Sequence, residues 1–125
     1  MPETGDLNLI INKITHLHKM IRFVAIINQN GKILKSTMRT ETPSLLKNKN
    51  EEKFCKDVGA RRKMREEFDK TLGKVRFVNV ERENISQIVM YTKSKSLFIT
   101  VEPEVTVLDK TKIISQIKQI TSNIK

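Results

Sequence analysis

The chain has 125 residues, of which 38% are hydrophobic and 30% charged, so it is long enough to bury one core and too short for two. Four glycines, three prolines and no low-complexity run exclude a disordered tail protein. The single cysteine excludes a disulfide framework and a cysteine-rich zinc site. No apolar stretch approaches the roughly 20 residues that cross a bilayer, and no secretory signal pattern is found. We expect one soluble, cytoplasmic domain spanning residues 1–125.

The charge balance is strongly basic. Lysine and arginine total 24 against 14 acidic residues, which gives a net charge of +10. Such an excess is typical of proteins with a nucleic-acid or anionic-membrane partner. Here, however, the bases are spread along the chain and interleaved with acids, without a basic tail. This distribution favours a solvated, lysine-rich surface over a functional basic patch.

The first half of the chain is predicted to contain a helix and a hairpin. Asp6 is a good N-cap, and apolar residues at helical spacing follow it, which predicts a helix from about residue 6 to 20. Residues 23–27 and 32–34 are apolar runs on either side of an Asn30-Gly31 step, the strongest short-range hairpin signal. Residues 40–50 are predicted to be a loop with a short helical turn at 44–46.

The second half is predicted to form a helix, three strands and a last helix. The helical pattern of residues 51–72 ends at Gly73. Three apolar runs at 75–80, 85–91 and 97–101 are separated by short polar breaks, which predicts a meander. Asp109 is then expected to cap a helix with an isoleucine stripe. The predicted order is α-β-β-α-β-β-β-α.

The strands differ in how many faces they bury. The first and fifth strands are apolar at nearly every position, so they are expected at the centre of the sheet. The second strand carries Lys32 and Lys35 and has the composition of an edge. If strands one and five are neighbours, the result is an α+β sandwich with a five-stranded antiparallel sheet of order 2-1-5-4-3. Helices one and three are expected on one face and helix two on the other.

This element order and sheet order resemble the roadblock/LC7 superfamily, and more loosely the profilin-like and longin domains. Residues 21–34, IRFVAIINQNGKIL, resemble the first hairpin of those domains. Together with residues 64–75, MREEFDKTLGKV, they also resemble a group of small archaeal proteins to which no activity is attached. The roadblock resemblance implies a non-catalytic homodimer that acts as a scaffold or as a regulator of small GTPases.

No residues that would carry catalysis, a cofactor or a metal are predicted. His16 and His18 are two apart on a helix, so their side chains diverge by about 200° and cannot share a metal ion. Cys55 has no histidine near it in sequence and is expected to be an inert buried thiol. There is no Walker A loop and no glycine-rich dinucleotide motif. The sequence therefore predicts that the protein is not an enzyme.

Helix two carries an unusual apolar stripe. Phe54, Val58, Phe68 and Leu72 fall within about 40° of one line, with Met64 on its flank. Arginines occupy the middle of this line, and acidic residues stand four positions from each of them.

Arg61 and Arg65 are the arginines on the stripe, with Asp57 and Asp69 at i,i+4 spacing. Either the arginines reach solvent at the sheet's edge, helped by a kink at Gly59, or they await an anionic or carbonyl-rich partner. On the second interpretation Arg61, Arg62 and Arg65 bind the partner.

We therefore predict a non-enzymatic interaction module that self-associates through its sheet edge or helix two and binds a small GTPase or another acidic protein. The first alternative is a basic nucleic-acid-associated protein, although helices on both faces leave no aromatic platform for stacking on bases. The second alternative is a PAS-like small-ligand sensor. Because the inward residues are mainly Ile, Val and Phe, the sequence gives no indication of a cavity.

Overall fold

The computed structural model describes residues 3–39 and 48–122. Its elements are α1 (Glu3–Thr15), β1 (Ile21–Ile27), β2 (Ile33–Met38), α2 (Asn48–Glu66), α3 (Asp69–Leu72), β3 (Phe77–Glu81), β4 (Ser86–Tyr91), β5 (Ser96–Val101) and α4 (Val107–Thr121). The predicted element order is confirmed, with α3 as one additional turn after α2. The predicted turn at 44–46 lies outside the described residues.

The five strands form one antiparallel sheet of order β2-β1-β5-β4-β3, as predicted. Every residue of β1 and β5 is buried, because both faces of these central strands are covered. In the register of the sheet Ile99 lies opposite Val24 on one side and Ile88 on the other. The edge strands β2 and β3 are largely exposed or half-buried.

Helices cover both faces of the sheet, and each face has its own core. On one face α1 and α4 pack against Val24, Ile99 and their neighbours through residues such as Ile14 and Ile113. The other face carries a smaller core to which α2 contributes Cys55 and Val58. The predicted distribution of helices over the two faces is confirmed.

Two predicted helix caps are wrong. Asp6 lies inside α1, which ends at Thr15 and not at residue 20, because the next residues turn: the His18 imidazole accepts a hydrogen bond from the Met20 amide at 3.0 Å. Side-chain bonds of this kind compete with the helical ladder. Helix α4 begins after Thr106, whose hydroxyl accepts from the amide of the predicted cap, Asp109, at 3.1 Å.

Helix α2 packs on the β1–β2 turn through two glycines. Gly31 has φ of 83°, and a Cβ there would stand 2.6 Å from the Cα of Lys56. A Cβ on Gly59 would stand 3.0 Å from the Cα of Gly31. Gly59 therefore permits a close backbone approach and does not kink the helix, which is continuous from Asn48 to Glu66.

The predicted single helix over residues 51–72 is interrupted near its end. Phe68 leaves helical geometry with φ of −105° and ψ of 5°, and α3 then adds one turn before Gly73, where φ is 85°. The helical pattern is thus divided between α2 and α3, and its second part extends beyond the residues that pack on the sheet.

Candidate interaction surface

The apolar stripe of helix two is divided between core and surface. Val58 is buried, and the ring of Phe54 lies 5.0 Å from that of Phe98 on β5. The remaining members are exposed: Met64 by 64%, Phe68 by 57% and Leu72 by 79%. Residues at the same helical spacing are therefore buried or half-buried in the first half of the stripe and exposed in the second.

Strand β3 adds further exposed apolar side chains to the same part of the chain. Phe77 is 46% and Val80 38% exposed. Within the described residues β3 pairs only with β4, so its other edge has no strand partner. We call Met64, Phe68, Leu72, Phe77 and Val80 the α2–β3 surface. Of its two β3 members, Val80 lies opposite Gln87 on the α2 face of the sheet, and Phe77 lies opposite Met90 on the other face. An apolar edge strand is a template for pairing with another chain.

A groove of about 130 Å³ runs between α2 and the strands β3 and β4. Its floor includes Val78 and Val89, and its α2 wall includes Val58. Arg61 and Arg65 both line this groove. The structure therefore brings the two stripe arginines to one site, beside the unpaired edge of the sheet.

Neither arginine forms the ion pair that its spacing permits. The guanidinium of Arg65 donates to the hydroxyl of Tyr91 at 3.0 Å, and Arg61 is exposed. No oxygen of Asp57 or Asp69 lies within salt-bridge distance of either guanidinium. Most of the donors of these two groups are therefore directed toward the groove or the solvent.

Arg62 is placed differently, because its guanidinium is bound within the chain. It donates to the carbonyl oxygens of Thr92 at 2.5 Å and Lys95 at 2.7 Å in the β4–β5 turn. It also lies 4.7 Å above the ring of Tyr91 and 3.5 Å from the carboxylate of Glu66. Only 14% of the side chain is exposed. Arg62 therefore joins α2 to the β4–β5 turn of the same chain.

Two ion pairs that sequence reasoning missed hold other parts of the fold. Arg22 of β1 donates to Glu102 at 2.9 Å, and Lys110 of α4 bonds to Glu81 at the end of β3. The Lys110 ammonium lowers the pKa of the Glu81 carboxyl. Both pairs join residues that are far apart in sequence, so no local spacing pattern predicts them.

Cys55, His16 and His18, the residues considered for catalysis, each make different contacts. Burial raises the pKa of the Cys55 thiol to about 12, so the reactive thiolate is scarce at neutral pH. His16 bonds to the carbonyl of Asn12, whereas His18 lies 3.5 Å from Asp109. Over residues 3–39 and 48–122 there is no group of three or more His, Cys, Asp and Glu side chains that could hold a metal ion. In the same ranges no helix has the length and apolar character to span a bilayer.

Several solved structures share this fold. MglB of Myxococcus xanthus superposes with a TM-score of 0.75 at 12% identity, over 99% of this chain and 90% of that one. The gliding protein MglB of Thermus thermophilus gives 0.73 at 10% identity, over 98% and 93%. A roadblock/LC7 domain of Streptomyces avermitilis gives 0.70 at 11% identity, over 94% and 95%. The chain therefore has the roadblock/LC7 fold, which the sequence analysis predicted.

The family assignment rests on the sequence. Residues 10–121 match the model of a family of unknown function, DUF6659, and the chain belongs to that family. No curated protein sequence is significantly similar to this chain.

Proposed function

We propose that the protein is a non-catalytic interaction module that self-associates through the α2–β3 surface. The observation that carries this proposal is the exposure of five apolar side chains beside an unpaired edge strand. Single exposed apolar residues are common, but several around one sheet edge are typical of an interface. An MglB structure of the same fold has a tetrameric arrangement, which is consistent with association of this fold.

The geometry favours a symmetric pair. Two β3 strands that pair antiparallel across a two-fold axis would extend the five-stranded sheet into one of ten strands. In the proposed pair the exposed side chains of Phe68 and Leu72 contact the other copy. Backbone hydrogen bonds and apolar burial would then act together, as they do in strand addition.

We further propose that Arg61 and Arg65 contact an acidic protein partner at the groove, while Arg62 fixes the helix that carries them. The net charge of +10 would raise the rate of encounter with such a partner. The roadblock resemblance implies a small GTPase as the acidic protein, and a cytoplasmic location fits that class of partner.

Sedimentation equilibrium over a range of concentrations tests self-association. The wild type should form a dimer, and a variant with Phe68→Glu and Leu72→Glu should be a monomer, because it places charge at the centre of the interface. Leu108→Glu is the matched control, since Leu108 is 65% exposed on α4, across the sheet from α2; it should still dimerise. A wild type that is monomeric at every concentration would contradict the proposal.

A pull-down from native lysate, treated with nuclease, tests the partner. Arg61→Gln with Arg65→Gln should lose the partner, whereas Lys112→Gln with Lys118→Gln removes the same charge from exposed positions on α4 and should retain it. Equal loss in both variants would show that net charge alone governs capture.

Fluorescence anisotropy with duplex DNA and single-stranded RNA tests the nucleic-acid alternative. We expect no binding at physiological salt. Binding that falls steeply with salt and ignores sequence is the signature of phosphate contacts and would replace the proposed function by that alternative.

A further inference from the structure

A second pocket on the α2 side of the sheet has a volume of about 200 Å³. Its apolar walls include Phe23, Met38, Phe54 and Phe98. The Phe23 and Phe98 rings meet edge to face at 6.2 Å. A dry apolar cavity of about 150 Å³ takes up benzene, so this pocket has room for one aromatic ring with a small substituent. Nothing in the sequence indicated this cavity, which is left open because α2 packs mainly on β5.

The floor of the pocket contains a buried hydroxyl without a partner. Thr100 lines the pocket and is 5% exposed. Its Oγ1 is inaccessible to solvent and forms no hydrogen bond with any residue that the structure describes. Phe98 stands two residues earlier on β5, so both side chains face α2. Buried polar groups are nearly always satisfied in native proteins. Rotation about χ1 would turn this hydroxyl into the pocket, where an acceptor on a bound molecule would satisfy it.

A cation stands at the same end of the pocket as this hydroxyl. Gln87 lies directly opposite Thr100 across β4 and β5, and its side-chain oxygen accepts from Nε of Arg82 at 3.0 Å. That bond uses one of the five N–H donors of the guanidinium. Among the other charged residues that line the pocket in the described part of the chain, Arg22 is paired with Glu102 and Glu51 is acidic.

We propose that this pocket binds a small aromatic carboxylate. The ring would lie among the phenylalanines and Met38, and the carboxylate would accept hydrogen bonds from the Thr100 hydroxyl and the Arg82 guanidinium. Charge-assisted bonds of this kind fix the orientation of a ligand in an otherwise apolar pocket. The proposal is independent of self-association, because it uses one chain only.

Methyl NMR on protein labelled with ¹³C at the methionine methyl groups tests the proposal, with phenylacetate as the probe. The Met38 signal should shift saturably with a Kd of about 1 mM or tighter, the affinity that a ligand of this size reaches at moderate efficiency. The exposed Met64 and the Met90 methyl in the opposite core are internal controls and should not shift. Phenylacetamide, which lacks the charge, should bind about tenfold more weakly.

Two variants identify the groups that hold the carboxylate. Thr100→Val should weaken phenylacetate binding about tenfold and raise the unfolding midpoint of the free protein, since it removes an unsatisfied hydroxyl without changing shape. Thr37→Val makes the same change on β2 opposite Val24, facing the other core, and should leave binding unchanged. Arg82→Gln, at an exposed residue, should reduce the affinity for phenylacetate to that for the amide.

Three results would overturn the proposal. The first is a Met38 methyl signal that does not shift at about 20 mM phenylacetate, well above the expected Kd. The second is binding of phenylacetamide as tight as that of phenylacetate. The third is equal binding of phenylacetate by the two threonine variants, Thr100→Val and Thr37→Val.

Discussion

Replacing Arg62 by methionine tests whether this arginine anchors α2 to the β4–β5 turn. The change keeps an unbranched side chain on the helix but removes the guanidinium bonds to the Thr92 and Lys95 carbonyls and the contact with the Tyr91 ring. Hydrogen bonds to charged groups contribute about 1.5–3 kcal/mol each, and a cation–π contact contributes from about 0.5 kcal/mol at an exposed site to about 2 kcal/mol at a desolvated one. Because contacts made by one side chain are not additive, we expect a net loss below their sum, about 2–4 kcal/mol.

Urea denaturation followed by far-ultraviolet circular dichroism gives the free energy of unfolding directly. Arg61→Met is the matched control, because the neighbouring arginine is exposed and its replacement should change stability by less than about 0.5 kcal/mol. Arg62→Lys should lie between the two, since lysine keeps the charge but not the planar fork that reaches two carbonyls.

Equal stability of the Arg62→Met and Arg61→Met variants would refute this role. The bonds to the turn would then contribute nothing net, and Arg62 would be as available to a partner as its neighbours. Tyrosine fluorescence offers a local check: the chain has one tyrosine, Tyr91, and its ring lies under the guanidinium, so its emission should change in Arg62→Met and stay unchanged in Arg61→Met.

Three further predictions follow from single contacts. Gly31→Ala should cost about 2–4 kcal/mol in urea denaturation, because it combines a positive φ with a Cβ 2.6 Å from the Cα of Lys56; a loss under about 0.5 kcal/mol would contradict the close approach. Lys110 lowers the pKa of Glu81 from its ordinary value of 4.5, so this carboxylate stabilises the fold above that pH and loses its effect as the pH falls through the lowered pKa. Glu81→Gln should therefore lower the urea midpoint at pH 7 and flatten its fall in acid; an unchanged acid slope would argue against the pair. Cys55, with a pKa raised to about 12, should react slowly with a thiol reagent at about pH 8 in the folded protein and rapidly in urea; rapid reaction of the folded protein would contradict its burial.

The sheet could be predicted because its signal is repeated in many residues. β1 and β5 are apolar on both faces, and only a central position satisfies both strands at once. The helix ends depend instead on single hydrogen bonds. The His18 imidazole and the Thr106 hydroxyl each take one backbone amide, and several nearby residues offer equivalent groups, so local sequence did not select between them.

The candidate surface could be predicted only in part. Helical periodicity identifies an apolar face but not what covers it, because a core and an interface require the same side chains. Phe54 and Phe68 therefore look alike in sequence, although one packs on β5 and the other is exposed. The role of Arg62 depends on a turn about 30 residues away. The spacing of residues within the helix does not predict such a long-range contact.

Hydrogen exchange at two protein concentrations tests the central claim, self-association through the α2–β3 surface, most directly. The sheet has two edges, β2 and β3, so the first serves as an internal control for the second. At high concentration the amides of Phe77–Glu81 should exchange more slowly than at low concentration, because a second copy pairs with that edge, while those of Ile33–Met38 should be unaffected. Slowing at β2 alone, or at neither edge, would contradict the account.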